Sequence, residues 1–130
     1  MRTLMGGCHC ERIHFEVDVE HEDRIGVSEC NCSICQRSGY LHLIVPASRF
    51  RLLRGEEILT SYRFNTGAAN HLFCSVCGIK AFYVPRSHPH GYSVNARCLD
   101  AEFLQGIVIE QQFDGRNWEQ HADELPEIGP

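Results

Sequence analysis

The sequence has no long hydrophobic run. Its longest apolar stretch, Tyr40 to Ala47, is interrupted by His42 and Pro46, so we predict no membrane-spanning helix. The segment Met1 to Gly7 also lacks the apolar core of a secretory signal peptide, and we therefore expect a cytoplasmic protein. Linkers rich in proline, glycine or serine and internal repeats are missing too. We expect a single domain over residues 1–130, with a loosely packed tail from about residue 119.

An excess of basic residues is also missing. The chain has 12 Lys and Arg against 17 Asp and Glu, which gives a formal charge of -5. This balance argues against a sequence-independent nucleic-acid binder, which needs a basic face. We expect neither nucleic acid nor a membrane as a partner, but local arginine pockets for small anions are compatible with this charge. The sequence does not decide between a monomer and an oligomer.

Sustained helical periodicity is lacking, whereas strand-like patterns are frequent. From Arg12 to Val19, apolar and charged residues alternate, which predicts a half-buried strand. Two segments, Pro46 to Leu53 and Leu99 to Leu104, have room for one helical turn each. Further short strands are predicted at Leu41–Val45, Ile58–Phe64, Ala81–Val84, Tyr92–Arg97 and Gly106–Phe113. The predicted class is mainly β, with small sheets held together by metal.

Cysteine is the residue type that the chain has in informative numbers. Eight cysteines in 130 residues are fewer than a short disulfide scaffold requires. Disulfides stabilise most when they close long loops, whereas seven of these cysteines stand in tight clusters. Several thiolates in a cluster are the arrangement that binds a zinc ion. The clusters are Cys8-His9-Cys10, Cys30-Asn31-Cys32-Ser33-Ile34-Cys35 and Cys74-Ser75-Val76-Cys77.

The last cluster has the form of a zinc knuckle. In Cys74-Ser75-Val76-Cys77-Gly78, both sulfurs can point to one ion, and the glycine can adopt a positive φ where the chain leaves the turn. Two more ligands are needed to close a structural site. Cys8 and Cys10 qualify, because Gly6 and Gly7 allow a bent backbone before them. We therefore expect one structural zinc on Cys8, Cys10, Cys74 and Cys77.

The middle cluster has an odd number of sulfurs. Cys30, Cys32 and Cys35 supply three ligands, and three protein ligands with an open position are typical of a catalytic zinc. We expect this ion to be more labile than the structural one. The alternative is that Cys98, His42 or another side chain fills the fourth position and makes a second structural site.

The three clusters in this order resemble the glutathione-dependent formaldehyde-activating enzyme family, which includes the centromere protein V domain. The likeness runs from Gly6 to about Leu99. It implies a β-tent fold of small antiparallel sheets. It also implies the ligand division given above, with Cys30, Cys32 and Cys35 at the active site. The implied reaction joins glutathione to formaldehyde and is classed as a carbon–sulfur lyase activity.

Three hypotheses for function follow. The first is a zinc enzyme that joins a thiol, such as glutathione, to a small aldehyde, with Arg37, Arg63 or Arg97 binding a glutathione carboxylate; Arg37 is favoured because it follows Cys35 closely. The second is a thiol redox enzyme similar to methionine sulfoxide reductase B, in which Arg97 activates Cys98 as the nucleophile. The third is a non-catalytic binding module stabilised by two closed zinc sites.

Overall fold

The computed structural model of the protein describes residues 1–21 and 23–124, and ten short strands account for most of its regular structure. The strands are β1 (Arg2–Gly7), β2 (His14–Val19), β3 (Ile25–Cys30), β4 (Leu41–Pro46), β5 (Phe50–Arg54), β6 (Leu59–Tyr62), β7 (His71–Cys74), β8 (Phe82–Tyr83), β9 (Gly91–Asn95) and β10 (Ile107–Phe113). Two short α-helices, α1 (Ser33–Ser38) and α2 (Trp118–His121), accompany them. Short 3-10 helices occur at Ala47–Arg49, Glu56–Ile58, Ala96–Cys98, Ala101–Gly106, Gly115–Asn117 and Ala122–Glu124.

These strands form three small sheets. One has the order β1-β2-β5, a second has the order β10-β3-β4-β9-β8, and β6 pairs with β7 in the third. The pairings are antiparallel, except that β10 runs parallel to β3. The prediction of a mainly β fold built from small sheets is confirmed. None of the helices in the described ranges has the length and apolarity that crossing a membrane requires.

The alternating pattern of β2 explains where the core lies. Ile13, Phe15 and Val17 are at most 1% exposed, so the face predicted to be buried is buried. Phe15 packs against Phe50 of β5 at a ring-centroid distance of 5.7 Å. Phe50 in turn contacts the ring of Phe82 in the second sheet at 4.7 Å. The core therefore joins the first and second sheets through aromatic side chains.

Local differences from the sequence predictions have short-range causes. The segment Pro46 to Leu53 contains a single 3-10 turn, Ala47–Arg49, before the chain continues as β5. Helix α1 was not predicted, because six residues are too few to show a helical period. The sulfur of Cys32 caps it by accepting a hydrogen bond from the Cys35 N–H at 3.4 Å, and Gly39 ends it with a φ of 67°.

The C-terminal part of the described chain packs onto the second sheet. Residues Gly115–Asn117 follow β10, and α2 continues to His121. The side chain of Arg86 lies over the Trp118 ring with its Cζ 3.7 Å from the centroid, and it also pairs with Glu119. The loosely packed tail predicted from about residue 119 stays a prediction, and residues 125–130 lie outside the described part of the chain.

Candidate metal centres and their cavity

The first cluster, defined as Cys8, Cys10, Cys74 and Cys77, comes together from two distant segments. The four sulfurs lie within 4.8 Å of one another. The Sγ of Cys10 is 3.5 Å from that of Cys8 and 3.7 Å from that of Cys74, which is 64 residues away in the sequence. Four thiols that converge in this way form the donor set of a closed tetrahedral zinc site.

Backbone geometry explains this convergence. Cys8 and Cys10 lie in the turn between β1 and β2, where the Ile13 N–H donates to the Cys8 sulfur at 3.3 Å. Cys74 ends β7, and its sulfur accepts from the Cys77 N–H at 3.5 Å. Gly78 leaves the knuckle with a φ of 79°, as its position after the second cysteine predicted. Turns of the backbone therefore shape both halves of the site.

The surroundings of the first cluster shift the pKa values of Cys8 and Cys10 in opposite directions. A hydrogen bond from the Arg12 backbone lowers the pKa of Cys10 to about 6. The Arg12 guanidinium also contacts this sulfur, and the pKa of Arg12 is raised in return. Burial raises the pKa of Cys8 to about 11, so a metal ion would have to displace its proton.

The second cluster, defined as Cys30, Cys32 and Cys35, lies at the junction of β3 and α1. Cys30 ends the strand, Cys32 caps the helix and Cys35 lies in its first turn. Hydrogen bonds from the thiols of Cys30 and Cys35 lower the pKa of Cys32 to about 2, whereas the pKa values of Cys30 and Cys35 are raised. The three thiols are thus hydrogen-bonded to one another, with the Cys32 sulfur as the acceptor.

His42 of β4 adds a nitrogen to this cluster. Its Nε2 is 3.2 Å from the Cys35 sulfur, and its Nδ1 is 2.8 Å from the Ser93 hydroxyl. The donor atoms of Cys30, Cys35 and His42 lie within 4.8 Å of one another. Burial lowers the pKa of His42 to about 4, so its imidazole is neutral at neutral pH and Nε2 can bind a metal or accept a hydrogen bond.

Gly115 packs tightly against the second cluster. A Cβ at this position would lie 2.3 Å from the Cys30 sulfur and 2.9 Å from the Cys32 Cβ. Asn31, between these two cysteines, donates its amide to Asp114 at 3.0 Å. The Asn31 side-chain oxygen accepts from the Arg116 N–H at 3.1 Å, and its carbonyl accepts from Arg116 Nε at 2.8 Å. Residues 114–116 therefore hold the cysteine loop from outside.

The second cluster opens on a cavity of about 510 Å³. All three of its cysteines line the wall, together with His42. The rest of the lining includes aromatic and charged side chains, among which Arg86 and Arg116 are positive. These residues are Phe64, His71, Tyr83, Arg86, Arg116, Trp118 and Glu119.

The model of the glutathione-dependent formaldehyde-activating enzyme family matches residues 3–113, a range that contains both clusters. The chain belongs to this family. A crystal structure of a Rhodobacter sphaeroides protein, a structural genomics target, is also similar to it. The two proteins are 37% identical with a TM-score of 0.67, and the alignment covers 75% of this chain and 89% of that one. Membership in the glutathione-dependent formaldehyde-activating family implies an enzyme activity related to formaldehyde and glutathione.

The arginines predicted to bind glutathione lie outside the large cavity. Arg37 is exposed on α1, where its Nη1 donates to the Ser33 carbonyl at 3.1 Å. It lines a shallow groove with Phe64, which also lines the cavity. Arg63 donates to the Gly67 carbonyl at 2.7 Å, and Arg97 donates to the Gly39 carbonyl at 2.7 Å.

Cys98 lies apart from both clusters. It ends the 3-10 turn that follows β9, and its sulfur contacts the Lys80 carbonyl at 3.9 Å. Burial raises its pKa to about 12. This is opposite to the activation by Arg97 that the redox hypothesis expected, because the Arg97 side chain points to Gly39 instead.

Sequence reasoning missed Arg86, Gly115 and Arg116, which line the cavity. No motif in the sequence connects these residues with the cysteines, because only the fold brings them to the cavity. The pairing of β10 with β3 brings Phe113 opposite Cys30, which places Gly115 beside the cluster. A glycine followed by an arginine directly after a predicted strand was the only local signal.

Proposed function

We propose that the protein is a zinc-dependent enzyme that joins a thiol, glutathione or a close analogue, to formaldehyde or another small aldehyde. The thiol sulfur forms a bond to the carbonyl carbon, the π bond of the carbonyl breaks, and the thiol proton ends on the new hydroxyl oxygen. No redox partner is needed, and the activity is of the carbon–sulfur lyase class. The observation that supports this most is a three-sulfur cluster that faces a cavity in a chain of this family.

The donor sets fit zinc at both clusters. In the proposal, Cys8, Cys10, Cys74 and Cys77 hold a structural ion, and Cys30, Cys32 and Cys35 hold a catalytic, more labile one. A zinc ion at the second cluster would favour the thiolate form of a bound thiol and polarise an adjacent carbonyl. The backbone at Gly115 lies so close to Cys30 and Cys32 that a Cβ would not fit there. This close packing holds the cysteine loop in place and supports a metal site at the second cluster.

The chain's own residues would then bind and orient the substrates. His42 lies beside the cluster, and its neutral Nε2 can accept a hydrogen bond from the substrate thiol while Ser93 holds the ring through Nδ1. Arg116 stands beside the cysteine loop and can bind a glutathione carboxylate. Arg37, in the groove that adjoins the cavity, stays a proposed site for the second carboxylate.

A second candidate function is favoured by the position of His42. If Nε2, 3.2 Å from the Cys35 sulfur, binds the metal as a fourth ligand, the second site is closed. The protein would then be a non-catalytic binding module held by two structural ions. The redox hypothesis has less support, because the pKa of Cys98 is raised by burial.

Activity and metal content of two cysteine variants test the proposal. We expect two zinc ions per chain by elemental analysis, of which mild chelation removes one. Cys32→Ser should lose the labile ion and the condensation of glutathione with formaldehyde, followed by NMR. Cys98→Ser is the matched control, since this cysteine belongs to neither cluster, and it should keep both. Unchanged turnover in Cys32→Ser would remove the second cluster from the mechanism, and loss of methionine sulfoxide reduction in Cys98→Ser would favour the redox hypothesis.

Cobalt substitution separates the open site from the closed one. Cobalt in cysteine sites absorbs in the visible range, and its spectrum depends on the ligands. We expect the spectrum of the second site to change when glutathione is added, because a fourth sulfur enters. A spectrum that ignores glutathione in the wild type but responds in His42→Ala would identify His42 as the fourth ligand and support the binding module.

A further inference from the structure

Lys80 is the only lysine in the sequence, and it lies against the aromatic residues beside the second cluster. Its Nζ is 4.0 Å from the ring centroid of Tyr83 and 4.9 Å from that of Tyr40. Both tyrosines pack against Cys35, and this small group of side chains also contacts Cys30 and Cys32. The ammonium group is therefore separated from the cluster by little more than the two rings.

No carboxylate within residues 1–21 and 23–124 pairs with this ammonium group. Its hydrogen-bond partner is Nδ1 of His71. Burial lowers the pKa of His71 to about 4, so His71 is neutral and accepts the hydrogen bond without neutralising the charge. A partly buried ammonium group with only neutral neighbours loses hydration energy that cation–π contacts of about 1–2 kcal/mol recover only in part.

The second cluster has the opposite imbalance. Three thiolates around a divalent ion leave a net charge of about -1. Burial lowers the pKa of Lys80 to about 8, while the negative charges of Cys35, Cys32 and Cys30 favour its protonated form. The Arg116 guanidinium also lies beside the cysteine loop, but it is exposed and hydrogen-bonded to Asn31 and Gln36. Lys80, in contrast, is partly buried and has only neutral partners, so its charge is the one that the buried side of the cluster can use.

We infer that Lys80 is the counter-ion of the second cluster, acting across the rings of Tyr40 and Tyr83, and that it allows the cluster to accept an anionic fourth ligand. This inference rests on the proposed function, in which that ligand is the substrate thiolate. Without a nearby positive charge, a fourth thiolate would bring the site to a net charge of about -2 in a partly buried position. Lys80 is thus a positioning residue for the substrate sulfur that touches neither substrate nor metal.

The position of Lys80 is set by the first cluster, to which it is joined by a short segment of chain. The residue follows Cys77 by three positions, directly after the knuckle. Its carbonyl accepts a hydrogen bond from Asn95 Nδ2 at 3.1 Å and is contacted by the Cys98 sulfur. The segment from Cys74 to Tyr83 therefore contributes ligands to one ion and both the counter-ion and a cavity wall to the other. A metal centre with no access to substrate would in this way support the chemistry of its neighbour.

Lys80→Met and Lys80→Arg test the inference on the whole protein loaded with two ions. Methionine keeps the volume of the stem and removes the charge, whereas arginine keeps the charge. Residues that support a metal from outside its ligand shell change affinity about 10–100-fold when they are replaced. We therefore expect Lys80→Met to lower zinc affinity at the second site at least about tenfold, measured by competition with a chelator. Glutathione affinity, measured by titration of the cobalt spectrum, should fall as well, and Lys80→Arg should restore both.

The outcomes separate the inference from the proposed function. If wild type and Lys80→Met bind the second ion and glutathione equally, the counter-ion role is wrong while the function stands. Equal losses in Lys80→Met and Lys80→Arg would also overturn it, because they would indicate packing rather than charge. A wild type with a single zinc ion, or with a second site inert to glutathione, would instead contradict the proposed function. Should Lys80→Met not fold, Lys80→Gln takes its place in the same measurements.

Discussion

The two clusters differ in how far apart in the sequence their cysteines lie, and this difference bears on which of them can stabilise the fold. The first cluster joins Cys10 to Cys74, 64 residues apart, and so connects the β1–β2 turn to the knuckle after β7. The second takes all its sulfurs from Cys30 to Cys35, which are near one another in any conformation. A cross-link that closes a long loop restricts the unfolded chain far more than one that closes a short loop.

Their surroundings differ in the same sense. The four sulfurs of the first cluster are absent from the lining of the large cavity, whereas all three of the second are part of it. The first has a solvent-exposed arginine, Arg12, as its positive neighbour, and the second has the partly buried Lys80. These differences support the proposal that the first cluster holds the chain and that the second is reached by a ligand.

Removing one ligand from each cluster should give the largest difference. Zinc binding in small domains supplies about 10–16 kcal/mol, comparable to a domain's entire stability. Cys74→Ser is therefore expected to be mostly unfolded at 37 °C, while Cys30→Ser keeps its fold and loses only the labile ion. Circular dichroism on heating and elemental analysis measure both effects. Comparable unfolding in the two variants would break the distinction drawn above.

The sequence predicted the first cluster better than the second, for physical reasons. A Cys-x-x-Cys-Gly turn has a local geometry that its residues specify, and the partner cysteines stood out in the glycine-bent segment before β2. The second cluster was recognised as a set of sulfurs, but its environment was not. Gly115, Arg116 and Lys80 come to it from 45 to 86 positions away along the chain, and such contacts depend on the parallel pairing of β10 with β3 and on the end of the knuckle. Helix α1 was not predicted because its six residues are too few to show a helical period.

We expect His42, which lies beside the second cluster, to make the stability of the fold depend on pH. His42 has a pKa lowered by burial to about 4, below the usual value of about 6.5 in the unfolded chain. Between these two pH values, His42 is protonated in the unfolded chain and neutral in the folded protein. Stability is therefore present above about pH 6.5 and is lost as the pH falls towards 4, with a contribution of about 3 kcal/mol from this residue.

His42→Gln isolates this contribution. In protein that keeps only the ion of the first cluster, denaturant unfolding between pH 7 and 4.5 should show a shallower loss of stability for the variant than for the wild type. Acid release of the structural ion affects both proteins equally and cancels in the difference. Parallel curves would mean that His42 is already protonated in the folded protein, contrary to the neutral imidazole described above.

Two glycines allow a smaller test of the same contrast. Gly115→Ala places a Cβ against the Cys30 sulfur, and forced contacts of this kind cost about 1–3 kcal/mol. Gly67→Ala is the control, because Gly67 has a φ of 72° but open space around its Cβ position, so it suffers backbone strain alone. Both variants should lose some stability, but only Gly115→Ala should lose the second ion on mild chelation. Retention of both ions in Gly115→Ala would show that the cysteine loop can move away from residue 115.

The smallest expected effect concerns the cavity that only the second cluster faces. Arg116→Gln should raise the KM for glutathione about 3–10-fold with little change in kcat, the loss of about one charge-assisted hydrogen bond at an exposed site. Because Arg116 also holds Asn31, the measurement is repeated with 2-mercaptoethanol, a thiol without a carboxylate. A role in binding the carboxylate changes the KM for glutathione alone, whereas a role in holding the cysteine loop changes the kinetics of both thiols. Arg49→Gln removes a partly exposed charge, paired with Glu20 at 3.4 Å and absent from the cavity lining, and should leave the kinetics of both thiols unchanged.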